Sequence, residues 1–190
     1  MDEGLEAATR PAFGPSALAT PANALSLARI LGAPLLFAAV FHLGPSGWSL
    51  AAWVALAATD GVDGWVARRQ GTTTSGAFLD PLADKVALLA ALAALAARGQ
   101  LWWLPVTLIA GREAWMSLYR ASAGRRGLSV PARRSAKAKT WLQDAAVALA
   151  LVPPVAGPHP EVVSALLWAA VAATLATGAQ YLLDARRAGR

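Results

Sequence analysis

Four aspartates stand where the surrounding sequence is otherwise apolar enough to lie inside a bilayer. Asp60 and Asp63 are three residues apart in one apolar segment, and Asp80 and Asp84 are four apart in the next. Each spacing puts its pair on one face of a helix. A charged carboxylate at membrane depth costs roughly 3 kcal/mol, so such residues mark functional sites by default. Because both pairs flank one short connection, we expect the four carboxylates to converge at a similar depth.

Converging carboxylates repel one another unless cations neutralise them. A site of oxygen ligands alone favours Mg²⁺ or Mn²⁺, here as a pair of ions, over zinc or copper. The alternative is that the acids form structural ion pairs with Arg68, Arg69 and Lys85. Ion pairing does not account for the glycines on the acidic faces, Gly64 in the first segment and Gly76 in the second. Their missing side chains would let a phosphate-bearing ligand approach the ions and the backbone.

The composition is that of a membrane protein, with 56% hydrophobic and only 15% charged residues. Disorder and a disulfide framework are excluded, and the absence of cysteine excludes thiol catalysis and iron–sulfur clusters. A membrane helix needs about 20 apolar residues. Six segments meet this criterion: 24–43, 48–67, 77–97, 101–120, 139–157 and 161–183. We therefore expect an all-α domain of six transmembrane helices over residues 21–190, preceded by a short interfacial arm over residues 1–20.

Basic residues predict the orientation of these spans. They are concentrated in both tails and in the connections after the second and fourth spans, whereas the opposite connections hold only Arg98. By the positive-inside rule, both termini and the basic connection 121–138 are cytoplasmic, which requires an even number of spans. The net charge of +6 then reflects topology, and no nucleic-acid partner is expected. We expect a multi-pass protein of the inner (plasma) membrane whose acidic site faces the cytoplasm. Pro105 and Pro153 are expected to interrupt the fourth and fifth spans.

Residues 60–84 read DGVDGWVARRQGTTTSGAFLDPLAD. This segment resembles the signature of the CDP-alcohol phosphatidyltransferases, D-x2-D-G-x2-A-R-x8-G-x3-D-x3-D, and every fixed residue is present. Seven residues rather than eight separate Arg68 from Gly76. Counting from Arg68 therefore matches the family's nucleotide-contacting threonine to Thr74, and counting from Gly76 matches it to Thr73.

The resemblance implies roles for particular residues and a homodimeric assembly. Asp84 would deprotonate the acceptor hydroxyl. The two metal ions would be held by Asp60, Asp63, Asp80 and Asp84. The segment PANALSLAR resembles the family's first-helix entry, and the CDP-diacylglycerol contacts would be Asn23, Ser26, Asp60, Gly64, Arg68 and Thr74. For Asn23 and Ser26 the alternative is a helix N-cap and a polar residue of the first turn.

Cations in the second half of the chain predict the acceptor. A pocket for a dianionic phosphate would be formed by Arg112, Arg120, Lys137 and Lys139. The alternative for Arg112, which lies at membrane depth, is a structural ion pair with Glu113 or with an aspartate. The segments GREAWMSLYR and SAKAKTWLQ resemble the bacterial phosphatidylglycerophosphate synthases, whose acceptor is sn-glycerol 3-phosphate. That resemblance implies transfer of the phosphatidyl group from CDP-diacylglycerol to glycerol 3-phosphate, with release of CMP.

Three alternatives remain open from the sequence. Within the same superfamily, a phosphatidylinositol phosphate synthase would use an equally dianionic acceptor, and a cardiolipin synthase would use phosphatidylglycerol. A six-span transporter also buries acidic residues. Transporters, however, place their polar site near the bilayer midplane, whereas these aspartates cluster toward one membrane face beside a basic connection.

Overall fold

The computed structural model of the protein describes residues 20–70, 74–125 and 134–188. Within them, side chains are described except at 22, 60–70, 74–81, 120–121, 123–125, 134–137 and 182–188. The described backbone is helical apart from short turns and contains no strand, which confirms the all-α prediction for this part of the chain. The helices are α1 (Pro21–Leu43), α2 (Gly47–Gln70), α3 (Thr74–Ala97), α4 (Trp103–Arg125), α5 (Arg134–Leu151), α6 (Pro153–Ala156) and α7 (Pro160–Ala188).

The long helices run alternately up and down, so the bundle has two distinct ends. One end, which we call the polar end, is where α1, α3 and α5 begin and where α2, α4 and α7 end. The turn end is the opposite one, formed by the connections 44–46, 98–102 and 152–159. α1 packs most extensively on α3 and α2, and α5 packs on α7. All four aspartates of the signature lie on α2 and α3 toward the polar end, as their positions in the sequence predict.

The start of α1 follows from three consecutive residue types. Thr20 is extended and its hydroxyl accepts a hydrogen bond from the Asn23 backbone N–H at 3.1 Å, so it caps the helix. Pro21 occupies the first helical position, where its missing N–H costs nothing. The N-cap is therefore Thr20 and not Asn23, which lies in the first turn with its side chain buried.

Prolines affect the fourth and fifth predicted spans differently. Pro105 lies in the first turn of α4, where backbone N–H groups have no helical acceptor, so it does not interrupt the helix. Pro153 does interrupt: α5 ends at Leu151, and only the single turn α6 follows. The predicted span 139–157 is therefore too long at this end. The connection predicted over residues 121–138 is too long as well, because α4 continues to residue 125 and α5 begins at residue 134.

The core near the turn end is apolar and rich in alanine. Ala91 and Ala94 of α3 are completely buried, and their small side chains let neighbouring helices approach closely. Larger side chains fill the space between the helices, among them the buried Leu36, Leu92, Leu95, Ile109, Val147 and Leu151. This half of the bundle therefore provides the rigid support from which the polar ends of the helices project.

The outer surface carries large apolar side chains that a soluble domain would bury. Leu31 and Leu35 on α1 are 66% and 73% exposed, and Trp48 at the start of α2 is 79% exposed. Among the described residues, Asn23–Leu43 and Pro160–Tyr181 are long and apolar enough to cross a membrane. The other long helices contain charged residues of the polar end. These surfaces are those of a membrane-associated protein.

Candidate active site

The signature aspartates are carried by two helices that meet at the polar end. Asp60 and Asp63 lie in the second half of α2, and Asp80 and Asp84 lie in the first half of α3. The side chains of Asp60, Asp63 and Asp80 lie outside the described part of the chain, as do those of Gly64, Arg68 and Thr74. Asp84 is thus the one signature aspartate whose surroundings are described.

Asp84 faces a cavity and is paired with a buried cation. Its side chain is 40% exposed, and its Oδ1 accepts a hydrogen bond from Nη1 of Arg29, which is 2% exposed. Arg29 comes from α1, so this pair joins the first and third helices. A buried guanidinium that pairs with a partly exposed carboxylate fixes the direction in which that carboxylate points.

Three polar residues of α1 lie on one buried face. Asn23, Ser26 and Arg29 follow one another at intervals of three residues and are 2%, 0% and 2% exposed. The structure thus brings the predicted contacts Asn23 and Ser26 onto the same face as Arg29, which points to Asp84. Arg29 was missed as a site residue in the sequence. Its spacing from Ser26 was the available signal, because a third polar residue in one helical register is unusual on an apolar helix.

A second charged cluster lies on α3, α4 and α5, centred on Glu113. This carboxylate is 2% exposed. Its Oε1 accepts hydrogen bonds from Arg112 Nη1 at 3.0 Å and from Lys139 Nζ. Lys85 Nζ lies 3.9 Å from Oε2 and donates to Ser117 Oγ at 2.6 Å. The structural pair of Arg112 with Glu113 therefore exists, but it belongs to a larger group that also contains two lysines.

The last helix supports this cluster from behind. Thr177 on α7 accepts a hydrogen bond from Arg112 Nη2 at 3.0 Å. Gly178 lies next to the guanidinium, and a Cβ added there would be in van der Waals contact with Arg112 Nε at 3.4 Å. Farther toward the turn end, Gln143 Nε2 donates to Thr174 Oγ1 at 2.9 Å. Both contacts fix α7 against the helices that carry the cations.

One cavity connects the two groups. It has a volume of about 210 Å³ and is lined both by the Arg29–Asp84 pair and by Lys85, Arg112 and Lys139 of the Glu113 cluster. Glu113 and Asp144 complete its charged lining, giving four basic and three acidic side chains. Apolar residues of α2 and α3, among them Trp53 and Leu88, close its inner wall. The cavity is therefore a partly enclosed site whose charged lining has a small excess of basic side chains.

The predicted acceptor residues are brought together in part. Arg112 and Lys139 line the cavity and share Glu113. Arg120 and Lys137 lie on α4 and α5, but their side chains are outside the described residues. Lys85 and Glu113, which were not predicted as acceptor residues, belong to the same group. Each is adjacent in sequence to a residue that was predicted, Asp84 and Arg112 respectively.

The profile of the CDP-alcohol phosphatidyltransferase family matches residues 19–176 of this chain. The chain belongs to this family. A probable phosphatidylglycerophosphate synthase of Mycobacterium tuberculosis is 36% identical over 180 residues, which cover 92% of this chain and 85% of the relative. A CDP-diacylglycerol–glycerol-3-phosphate 3-phosphatidyltransferase of Pseudomonas fluorescens is 39% identical over 145 residues, or 72% of each chain. One of the same name from Sodalis glossinidius is 36% identical over 176 residues, covering 85% of this chain and 92% of the relative.

Family membership makes the protein a phosphatidyltransferase enzyme, as the signature predicts. Enzymes of this family use divalent metal ions, and the donor chemistry of this chain fits such ions. The signature supplies carboxylate oxygens alone, the ligands that Mg²⁺ and Mn²⁺ prefer. Asp84, the one with a described side chain, lines the cavity with 40% of that side chain exposed, so it is accessible from the space a substrate would occupy.

Proposed function

We propose that this protein transfers the phosphatidyl group of CDP-diacylglycerol to a hydroxyl of sn-glycerol 3-phosphate, releasing CMP and forming phosphatidylglycerophosphate. The observation that carries this proposal is the group of three cations, Lys85, Arg112 and Lys139, that lines the same cavity as Asp84. A phosphomonoester is nearly dianionic at neutral pH. An acceptor such as serine or inositol would not require so many cations. The printed names of the relatives from three bacteria describe the same reaction.

The reaction is a displacement at phosphorus. The acceptor hydroxyl attacks the phosphorus that carries diacylglycerol, the bond from that phosphorus to the CMP oxygen breaks, and CMP leaves. Asp84 takes the proton of the attacking hydroxyl as general base. Arg29 holds the Asp84 carboxylate toward the cavity. Arg112 and Lys139 hold the acceptor phosphate away from the reacting phosphorus, so that the hydroxyl and not the phosphate meets Asp84.

The remaining site residues are assigned from the resemblance of the signature and of the first-helix entry, and from the cations in the second half of the chain. Two Mg²⁺ or Mn²⁺ ions held by Asp60, Asp63, Asp80 and Asp84 would neutralise the diphosphate of CDP-diacylglycerol. The nucleotide and its diphosphate are assigned to Asn23, Ser26, Asp60, Gly64, Arg68 and Thr74. Asn23 and Ser26 are buried on the face of α1 that carries Arg29, and this placement supports the assignment of these two residues. The acceptor phosphate is assigned to Arg112, Arg120, Lys137 and Lys139.

For the whole chain we propose six transmembrane helices over residues 21–190 and an interfacial arm over residues 1–20. Each of the six predicted spans coincides over most of its length with one long helix, which supports this topology. Both termini and the active site would face the cytoplasm at the inner (plasma) membrane, because basic residues are concentrated at the polar end. A homodimer is proposed from family resemblance.

The deciding experiment follows CMP release by the purified protein in detergent, with CDP-diacylglycerol, Mg²⁺ or Mn²⁺ and separate acceptors. Glycerol 3-phosphate should yield phosphatidylglycerophosphate, identified by mass spectrometry, whereas inositol and serine should yield nothing. EDTA should abolish the activity. Better use of inositol phosphate would change the acceptor but keep the reaction class. Exclusive use of phosphatidylglycerol would mean that the cations bind lipid headgroups. Solute flux in proteoliposomes without CMP formation would instead support a transporter.

A further inference from the structure

Glu113 is a buried acid in the part of the cavity that should attract an anion. It is 2% exposed and lies among Lys85 of α3, Arg112 of its own helix α4 and Lys139 of α5. A carboxylate beside a phosphate site repels the ligand, so its presence there needs an explanation. These three cations and one carboxylate carry a net charge of +2, and Asp144 of α5 is a further acid in the lining of the same cavity.

The geometry around Glu113 is that of a shared acceptor. Its Oε1 receives hydrogen bonds from both Arg112 Nη1, at 3.0 Å, and Lys139 Nζ, so that one oxygen joins cations from two different helices. Two like charges brought this close in a poorly solvated cavity repel each other strongly without an anion between them. The carboxylate therefore keeps the guanidinium and the ammonium side by side before any substrate arrives.

Arg112 keeps donors for a ligand. Arg112 has five N–H donors, and its described bonds to Glu113 and Thr177 use two of them. Its side chain is 9% exposed, and its buried Nε has no hydrogen-bond partner among the described residues. The planar guanidinium is thus fixed at Nη1 and Nη2, with its direction set by two helices. A fixed cation binds phosphate with less loss of side-chain entropy than a free one.

We propose that Glu113 is a positioning residue of the acceptor site. It holds Arg112 and Lys139 together so that both contact the acceptor phosphate, and it still leaves more basic than acidic groups around the phosphate. This inference rests on the proposed function, because it assumes an acceptor that carries such a phosphate. The opposing view is that Glu113 is only a counter-ion that competes with the phosphate.

Steady-state kinetics of Glu113→Gln and Glu113→Asp separate these two views. Gln removes the negative charge that offsets the three cations, and its NH2 group would replace the Oε2 that lies 3.9 Å from Lys85 Nζ. We expect Glu113→Gln to raise the KM for glycerol 3-phosphate about tenfold or more, with the KM for CDP-diacylglycerol unchanged. Glu113→Asp keeps the charge but draws the carboxylate back by one methylene, and should raise the acceptor KM by a smaller factor. An unchanged or lowered acceptor KM in both variants would overturn the proposal.

A second pair of variants tests the same cluster without altering any charge. Thr177→Val removes the hydroxyl that receives Arg112 Nη2, and Thr174→Val removes the equally buried hydroxyl that receives Gln143 one turn earlier. Both should lower thermal stability to a similar extent. Only Thr177→Val should raise the KM for glycerol 3-phosphate, by roughly threefold to tenfold. Equal acceptor KM values in the two variants would show that a fixed Arg112 is not required. This pair retains the test if Glu113→Gln does not fold.

The wild-type protein separates failure of this inference from failure of the proposed function. If the wild type forms phosphatidylglycerophosphate and the variants match its acceptor KM, only the inference on Glu113 is wrong. If the wild type forms no product from glycerol 3-phosphate, the proposed function is wrong. In that case calorimetric titration with inorganic phosphate still measures the affinity of the Glu113 cluster for phosphate. Glu113→Gln should bind phosphate at least tenfold more weakly than the wild type. Equal phosphate binding would reject the positioning role.

Discussion

An arginine joins helices α1 and α3 at each end of the bundle, and the two arginines have different roles. At the turn end, exposed Arg98 of α3 donates to the backbone carbonyls of Phe41 and His42, the last residues before α1 ends. At the polar end, buried Arg29 of α1 donates to the carboxylate of Asp84 on α3. The first arginine satisfies carbonyls that every helix leaves open at its C-terminus, whereas the second holds a side chain at the edge of a cavity.

The difference predicts which contact contributes to stability and which to chemistry. A cation at a helix C-terminus is worth typically 0.3–1 kcal/mol and needs no desolvation. An ion pair with a buried member gains little net stability, because the lost hydration offsets much of the attraction; here Arg29 is buried and Asp84 stays 40% exposed. Because the Arg29–Asp84 pair adds so little to the free energy of unfolding, we expect it to have a role in function. Substitutions at the two ends should therefore separate activity from stability.

The largest effect is expected for Asp84→Asn. The amide cannot accept the proton of the attacking hydroxyl, and loss of a general base typically costs ~10²–10⁴ in rate. CMP release should fall by about a thousandfold, while binding of CDP-diacylglycerol, measured by equilibrium dialysis, is largely retained. Equal loss of CDP-diacylglycerol binding would make Asp84 chiefly a metal ligand. Asp60→Asn, Asp63→Asn and Asp80→Asn should each abolish activity, and near-normal turnover by any of them would contradict the metal assignment.

Arg29→Gln should reduce kcat while Asp84 itself is kept. The neutral side chain can still donate a hydrogen bond but no longer holds the carboxylate by charge, so Asp84 should point toward the acceptor hydroxyl less often. We expect kcat to fall by about tenfold to a hundredfold, since misplacement of a catalytic group by about 1 Å can cost ~10² in rate. The KM for glycerol 3-phosphate should change little, and Arg29→Lys should recover part of kcat. A variant with wild-type kcat would reduce Arg29 to a structural contact.

Arg112→Ala tests the Glu113 cluster and should affect binding of the acceptor more than turnover. One charge-assisted contact is worth roughly 1.5–3 kcal/mol, so its loss should raise the KM for glycerol 3-phosphate at least about tenfold. The KM for CDP-diacylglycerol should change little, because Arg112 pairs with Glu113 and not with the Arg29–Asp84 pair. Lys139→Ala should behave in the same way. A comparable rise in both KM values would mean that the Glu113 cluster and the Arg29–Asp84 pair do not act on different substrates.

The amino-acid sequence predicted the helices better than the contacts between them. Apolar segments of sufficient length identified the six long helices, and the aspartate spacing identified the family. The errors have local causes: Pro153 ends α5, whereas Pro105 falls in a first turn that tolerates it. Contacts between residues on different helices could not be predicted in this way. Arg29 with Asp84 is separated by 55 residues and Lys139 with Glu113 by 26. No helical periodicity relates residues on different helices, so Glu113 could be read only as the neighbour of Arg112.

The smallest effect on activity is expected at the turn end, for Gly44→Ala. Gly44 follows the last residue of α1 with φ 66° and ψ −158°, a conformation that residues with a Cβ adopt only with strain. A Cβ there would also lie 2.7 Å from Arg98 Nη2, so the guanidinium would have to leave the α1 carbonyls. Together these changes should lower the stability of the folded protein by about 1–3 kcal/mol. The melting temperature in detergent should fall by several degrees, while kcat and both KM values of the folded fraction stay within about twofold of wild type. Arg98→Ala, which removes the contact without backbone strain, should lower the melting temperature less. Loss of turnover in folded Gly44→Ala would show that strain at the turn end reaches the cavity along α1, and the two ends would then not be independent.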